Sequence, residues 1–391
     1  MNPSSTVSSD GSSGYAWAEH LIWMEGGEPV AIEAKQSRWP GLLLAGGLAL
    51  ASLALGWWLK RVGGSAGALL DPILVSMLLG LAWGNLAGRD FFLPGISVAV
   101  RKLLPVGIVL LGARMNFLEA LRVGVPGLLM SLMVVVVAVL LLAWLGRCFG
   151  LERKLAWLLG VGTGICGGTA IVAVAPILKA RDRDVFVGVG LVTLIGLAGM
   201  LILPAVAKLL ALTEVQFGLL AGLTIHQTPQ VIAAGFAYGE EAGQVATVAK
   251  LARVCLLAPV AVLLGWWMTR SEDGADAGAK NSSSRWYSLL PGFAIGFLVL
   301  AGIRTLGLLP QVDLAWSGPL AGPEATWHFD TAALLKLGST FLLAVGMVGV
   351  GFQTRFSQGR QIGWRPVAAA SIAALLIGAI VLFLILTIYP N

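Results

Sequence analysis

The sequence predicts an all-α polytopic membrane fold in which two of the spanning segments are discontinuous, either broken or re-entrant. Three observations predict it: a composition too apolar for water, eleven long apolar runs, and a mid-run interruption by glycine or proline in two of them. Of 391 residues, 57% are hydrophobic and only 12% charged, where a soluble domain carries roughly 25% charged residues. The mean hydropathy is +0.86. Too little polar surface is present to cover a water-soluble globule. The 51 glycines occur with almost no polar low-complexity sequence, which argues against a disordered or collagenous chain. The net charge of +6 comes from 26 Lys and Arg against 20 Asp and Glu, scattered through short loops. That scatter suits membrane orientation rather than nucleic-acid binding.

Taken in order, residues 1–38 are polar and lack the apolar core of a signal peptide, so they read as a disordered cytoplasmic tail. Residues 39–390 form one integral membrane transporter domain of about 9–11 membrane segments. A spanning helix needs about 20 apolar residues. Runs that meet this lie near 40–58, 69–87, 103–118, 123–147, 154–179, 184–208, 215–237, 243–268, 287–309, 331–352 and 366–389. Trp57, Trp58, Trp266 and Trp267 close two of them, at the headgroup level that amphipathic rings favour. Asp71 opens another as an N-terminal helix charge. Residues 270–285 are a polar connector. Cys148, Cys166 and Cys255 sit within apolar runs and have neither disulfide nor metal spacing.

The two poor spanners carry the information. Run 154–179 is interrupted by Gly162-Thr163-Gly164-Ile165-Cys166-Gly167-Gly168-Thr169, and run 215–237 by Thr224-Ile225-His226-Gln227-Thr228-Pro229-Gln230. Backbone freed by such breaks is tolerated in a membrane only when buried in protein or lining a cavity. The two tips echo each other, Ile165-Cys166 and Ile171-Val172-Ala173 lying over Ile225-His226 and Val231-Ile232-Ala233. A second, ungapped echo pairs Val106–Gly112, Phe117 and Gly124 with Val345–Gly351, Phe356 and Gly363. Internal echoes flanking mid-membrane breaks are the pattern of inverted-repeat secondary transporters. If both interrupted runs are hairpins entered from opposite sides, the basic loop at 179–183 lies in the cytoplasm and Glu240-Glu241 outside. Broken helices that cross the whole membrane are the alternative.

Ionisable residues within a membrane run are functional hypotheses by default. Lys250 and Arg253 share one helix face and lie too deep for easy snorkelling. Their partner is an anionic ligand, or the partial negative charge at the C-terminal ends of broken helices. A half-helix beginning at Gly167-Gly168-Thr169 would aim unpaired N–H groups at the centre. Thr163, Gly164 and Cys166 complete that tip, and His226, Gln227, Thr228 and Gln230 supply polar groups from the other. The whole reads as an oxyanion cradle without carboxylates. His226 is either a protonation switch or a buried neutral histidine, and Cys166 a packing residue rather than a redox centre. With no nucleophile–base pair or metal cluster visible, the sequence predicts neither an enzyme nor a bound cofactor. A passive anion channel is the other membrane reading.

These tips resemble a known signature. Gly164-Ile165-Cys166-Gly167-Gly168-Thr169-Ala170-Ile171 with Ala175-Pro176, Thr224–Val231 with Ala233-Ala234-Gly235, and Gly107–Gly112 are similar to motifs of the YeiH-type sulfate exporter family, in the same order. The resemblance covers roughly 40–390; Thr169 stands where many members have Ser, and Gln227-Thr228-Pro229 fills a variable stretch. It implies membership of the superfamily of cation–proton antiporters and anion transporters, and a multi-pass protein of a bacterial inner membrane with its N-terminus in the cytoplasm. The implied substrate is a small inorganic or organic anion such as sulfate, with H+ or Na+ as a coupling ion and a homodimer as a possible assembly.

Overall fold

The computed structural model describes residues 37–62, 71–87, 91–115, 117–271, 292–308, 311–315, 326–354, 356 and 362–390. All of the expected N-terminal tail but residues 37–38, and all of the expected connector but residues 270–271, lie outside them. The described chain is almost wholly helical. Its helices are α1 (Trp39–Val62), α2 (Pro72–Leu86), α3 (Leu93–Val98), α4 (Leu104–Leu111), α5 (Phe117–Cys148), α6 (Arg153–Gly164), α7 (Gly168–Val174) and α8 (Asp182–Leu209). There follow α9 (Glu214–Thr224), α10 (Thr228–Tyr238), α11 (Glu240–Cys255), α12 (Leu257–Ser271), α13 (Gly292–Thr305), α14 (Thr331–Gln353) and α15 (Trp364–Ile388).

Seven stretches are long and apolar enough to cross a membrane: 39–58, 93–114, 126–148, 182–209, 240–264, 333–353 and 364–388. Helices α2 and α13 are shorter and apolar. Each of these nine, and each interrupted run, coincides with one of the eleven runs in the sequence. One boundary differs markedly. The stretch Leu93–Arg114 begins well before residue 103, because a π turn at Ala99–Leu103 carries the helix through Arg101 and Lys102, where hydropathy falls. Two short antiparallel strands, β1 (Gln311–Ala315) and β2 (Thr326–Asp330), pair ahead of α14, between the runs 287–309 and 331–352.

Small residues let the helices approach closely, as helices without a hydrophobic driving force between them require. A Cβ on Gly80 would lie 2.1 Å from the Val348 carbonyl oxygen, and one on Gly351 2.1 Å from that of Met77. The helices that carry the two echo segments, α4 and α14, pack antiparallel, each echo segment lying against the stretch that precedes the other. Gly107 packs on Leu343, and reciprocally Gly346 packs on Leu104. Ser339 donates to the Gly107 carbonyl at 3.1 Å. Leu43, Leu375 and Phe383 on α1 and α15 are exposed, as side chains facing lipid are.

Following the chain through these contacts gives the molecule two ends. At one end α5 turns into α6, the loop of 175–181 enters α8, and Phe149 stacks edge-on against Trp364 at the start of α15. Arg147, Arg153, Lys154, Lys179, Arg181, Arg183 and Arg365 gather there. At the other end lie Glu214, Glu240 and Glu241, with Glu240 paired to Arg114 at 3.3 Å.

Candidate functional site

The site begins with two helical hairpins. Helices α6 and α7 are joined through Ile165–Gly167, and α9 and α10 through Ile225–Gln227. In the first, Lys154 near the start donates to the Lys179 carbonyl beyond the end at 2.6 Å, and Gly162 faces Ile171 across the turn. In the second, the Phe217 and Tyr238 rings stack at 4.2 Å, and Tyr238 donates its hydroxyl to the Leu212 carbonyl. The two ends of each segment therefore lie together. Helices of 11 and 12 residues reach about 17 Å, roughly half of a 30 Å hydrocarbon core.

The bases of the hairpins are at opposite ends of the molecule, and their tips meet. Gly167 has φ +78°, a conformation that glycine adopts without strain. A Cβ there would also come within 3.0 Å of Gln227 and 3.4 Å of the His226 carbonyl oxygen. Helix α8 runs past both tips. Its Thr193 accepts from the Gln227 amide through its hydroxyl at 2.7 Å and from the Gln230 amide through its carbonyl at 3.0 Å. Gly196 on the same helix leaves the space that Gln230 fills, since a Cβ there would fall 2.1 Å from its Oε1.

Helix α11 supplies the two cations, both fully buried. It lies along both arms of the second hairpin, with Gly218 and Gly222 of α9 and Gly235 of α10 against it. Lys250 donates to the carbonyls of Ile165 at 3.0 Å, Ile225 at 2.9 Å and His226. Arg253 donates to Gly164 and Leu223, both at 2.6 Å, and to Thr163 and Gly222. These carbonyls end α6 and α9, where four C=O groups per helix lack intrahelical partners. Of the two partners open to these cations from sequence, the helix C-termini are the ones in contact.

The opposite helix ends have no such partner. Neither Gly167 before α7 nor Gln227 before α10 makes a side-chain cap. Thr169, Gln227 and Thr228 are half-buried around these N-termini. Thr163 Oγ1, His226 Nε2 and Gln230 Oε1 are buried without a hydrogen-bond partner. Charge is unbalanced as well: each helix C-terminus carries about half a negative charge and each N-terminus about half a positive one. Two full cations with four such ends therefore sum to a net positive centre. Neither run, 154–179 nor 215–237, contains an Asp or Glu.

All twelve residues singled out in the sequence thus gather at one place. Sequence reasoning missed Thr193, whose only signal was a lone hydroxyl mid-way along an apolar helix. It also could not name the carbonyls, because main-chain oxygens leave no trace in residue identity.

Comparison with known proteins agrees with the motifs. The family profile described as conserved hypothetical protein 698 matches residues 40–370. The UPF0324 inner membrane protein YeiH of Escherichia coli is 31% identical over 332 residues, covering 83% of this chain and 88% of the relative. A UPF0324 membrane protein of Pseudomonas aeruginosa is 33% identical over 348 residues, covering 85% and 89%. One from Bacillus cereus is 30% identical over 308 residues, covering 78% and 81%. The resemblance to the YeiH type is thereby met, and these names state a membrane protein and no substrate.

Proposed function

The chain belongs to the conserved hypothetical protein 698 family, and we propose that it is a secondary transporter moving a small anion across a bacterial inner membrane by alternating access. The observation that carries this reading is the meeting of two hairpin tips around Lys250 and Arg253, with no carboxylate in either tip, 162–169 or 224–230. The fixed cations are engaged by carbonyls, so the anion is held by what they leave free. That is the N–H groups at the start of α10 and α7, with the hydroxyls of Thr169 and Thr228. A helix N-terminus suits an oxyanion, and the surplus positive charge compensates its burial. The reciprocal packing of Gly107 and Gly346 supports a pair of inverted repeats that rock about the site. The basic end faces the cytoplasm by the positive-inside rule, and the inner membrane location is that named for the Escherichia coli relative.

Sulfate is the first probe, because the family resemblance carries that label. The test is uptake of radiolabelled sulfate into proteoliposomes with and without a pH gradient, for the wild type and Thr228→Val. Saturable, gradient-dependent uptake that falls at least about tenfold in the variant, with its thermal unfolding unchanged, is the expected result. One hydrogen bond to a charged group is worth about 1.5–3 kcal/mol, enough for that factor. Gradient-independent, unsaturable flux would replace the transporter with a channel. No sulfate flux in folded protein would discard sulfate, and the same assay with other small anions then finds the substrate.

A further inference from the structure

Helix C-termini and unwound carbonyls at a transporter's midplane are where free Na+ or H+ is ordinarily held. A ring of such oxygens replaces the hydration shell of a monovalent cation. Here one such ring is already filled. The Lys250 ammonium sits between Ile165 O, Ile225 O and His226 O, at 3.0 and 2.9 Å from the first two. Ile165 and Ile225 are the matching residues of the two echoed tips, so both hairpins contribute to the ring. Arg253 takes the neighbouring carbonyls of Thr163, Gly164, Gly222 and Leu223. Lys250 reaches its ring from a third segment, α11, where Gly222 gives its helix room to approach.

We propose that Lys250 is the covalently tethered occupant of a monovalent-cation site, and that it bridges the two hairpin tips without any free cation. An ammonium offers three N–H donors, and all three carbonyls of the ring already accept from it, so a free cation would have to displace it. Transport driven by a Na+ gradient is thereby excluded at this ring. Removing the side chain vacates a ring that a small monovalent cation refills.

The test measures thermal unfolding of the purified, detergent-solubilised full chain in ammonium, sodium, potassium or choline chloride at equal ionic strength. It compares the wild type, Lys250→Ala and Lys250→Met. The wild type is expected to unfold at one temperature in all four salts. Lys250→Ala unfolds lower in choline and recovers by at least about 2 °C in one of the small cations. Lys250→Met fills the space, unfolds lower and responds to none of them. A wild type stabilised by sodium over choline overturns the proposal. So does an Ala variant that folds but does not distinguish choline from the small cations, or one recoverable in no salt. In liposomes, wild-type anion flux is expected to be unchanged when choline replaces sodium. That last arm rests on the transporter reading, whereas the unfolding arms do not, so failure of one is separable from failure of the other.

Discussion

At the scale of single residues, Arg253 and Gly167 bear the most. Four carbonyls converge on one guanidinium, and removing it leaves buried acceptors without donors at about 1–3 kcal/mol each. Arg253→Ala is expected to lower stability by at least about 3 kcal/mol, read as a fall in the unfolding temperature of purified protein. Arg253→Lys, which keeps the charge but not the fork, is expected to recover part of it. An Ala variant as stable as the wild type would show that the carbonyls find water instead. At Gly167, a Cβ meets both an unfavourable φ of +78° and the opposite tip at 3.0 Å. Gly167→Ala is therefore expected to depress uptake more than stability, because strain of about 1–3 kcal/mol falls on the tip-to-tip contact. Equal effects on both would make the residue merely structural.

At the scale of elements, the close crossing of α2 and α14 rests on glycine rather than on side-chain interlock. Gly80 and Gly351 face carbonyl oxygens that a Cβ would approach to 2.1 Å, whereas Gly378 on α15 has open space around it. Gly80→Val is expected to cost more than the about 1–3 kcal/mol typical of overpacking, since the obstacle is backbone and cannot rotate away. Gly378→Val is expected to be tolerated. Size-exclusion profiles and unfolding temperatures of the two variants check this; comparable losses would refute the packing assignment. Element identity was legible in the sequence because most of the apolar runs were either about 20 residues long or visibly interrupted, α2 and α13 being the shorter exceptions. The start of the Leu93–Arg114 stretch was not, since Arg101 and Lys102 lower the local hydropathy while a π turn keeps the backbone bonded. The pairing of Gln311–Ala315 with Thr326–Asp330 depends on two short segments finding each other across an intervening loop, which neither announces alone.

At the scale of the whole molecule, a basic end and an opposite end of mixed charge, where Arg114 and Lys336 pair with Glu240, bracket a pair of hairpins whose tips touch. Hairpins that enter from opposite ends, each reaching about half of a 30 Å hydrocarbon core, bring their tips together between those ends. The charge asymmetry predicts orientation. Single cysteines introduced at Arg181 and Glu240 are expected to react with membrane-impermeant reagent from the cytoplasmic and external side, respectively, in cells and inverted vesicles. Labelling of both from one side would contradict the hairpin geometry in the membrane, whatever the substrate proves to be.

The sequence by itself determined that the chain is a multi-pass helical membrane protein, which family it joins, and which two segments are interrupted. Those are matters of composition, run length and local breaks, and the membrane enforces them segment by segment through the cost of unpaired backbone in hydrocarbon. What only the tertiary structure decided is how the site residues are used. Residue spacing put Lys250 and Arg253 on one helix face without saying what faced them. That partner proved to be carbonyl oxygens from hairpins about 25 and 85 residues away in the chain. Main-chain groups are identical at every position, so their convergence is set by where three helices happen to end and cross, and no residue identity encodes it.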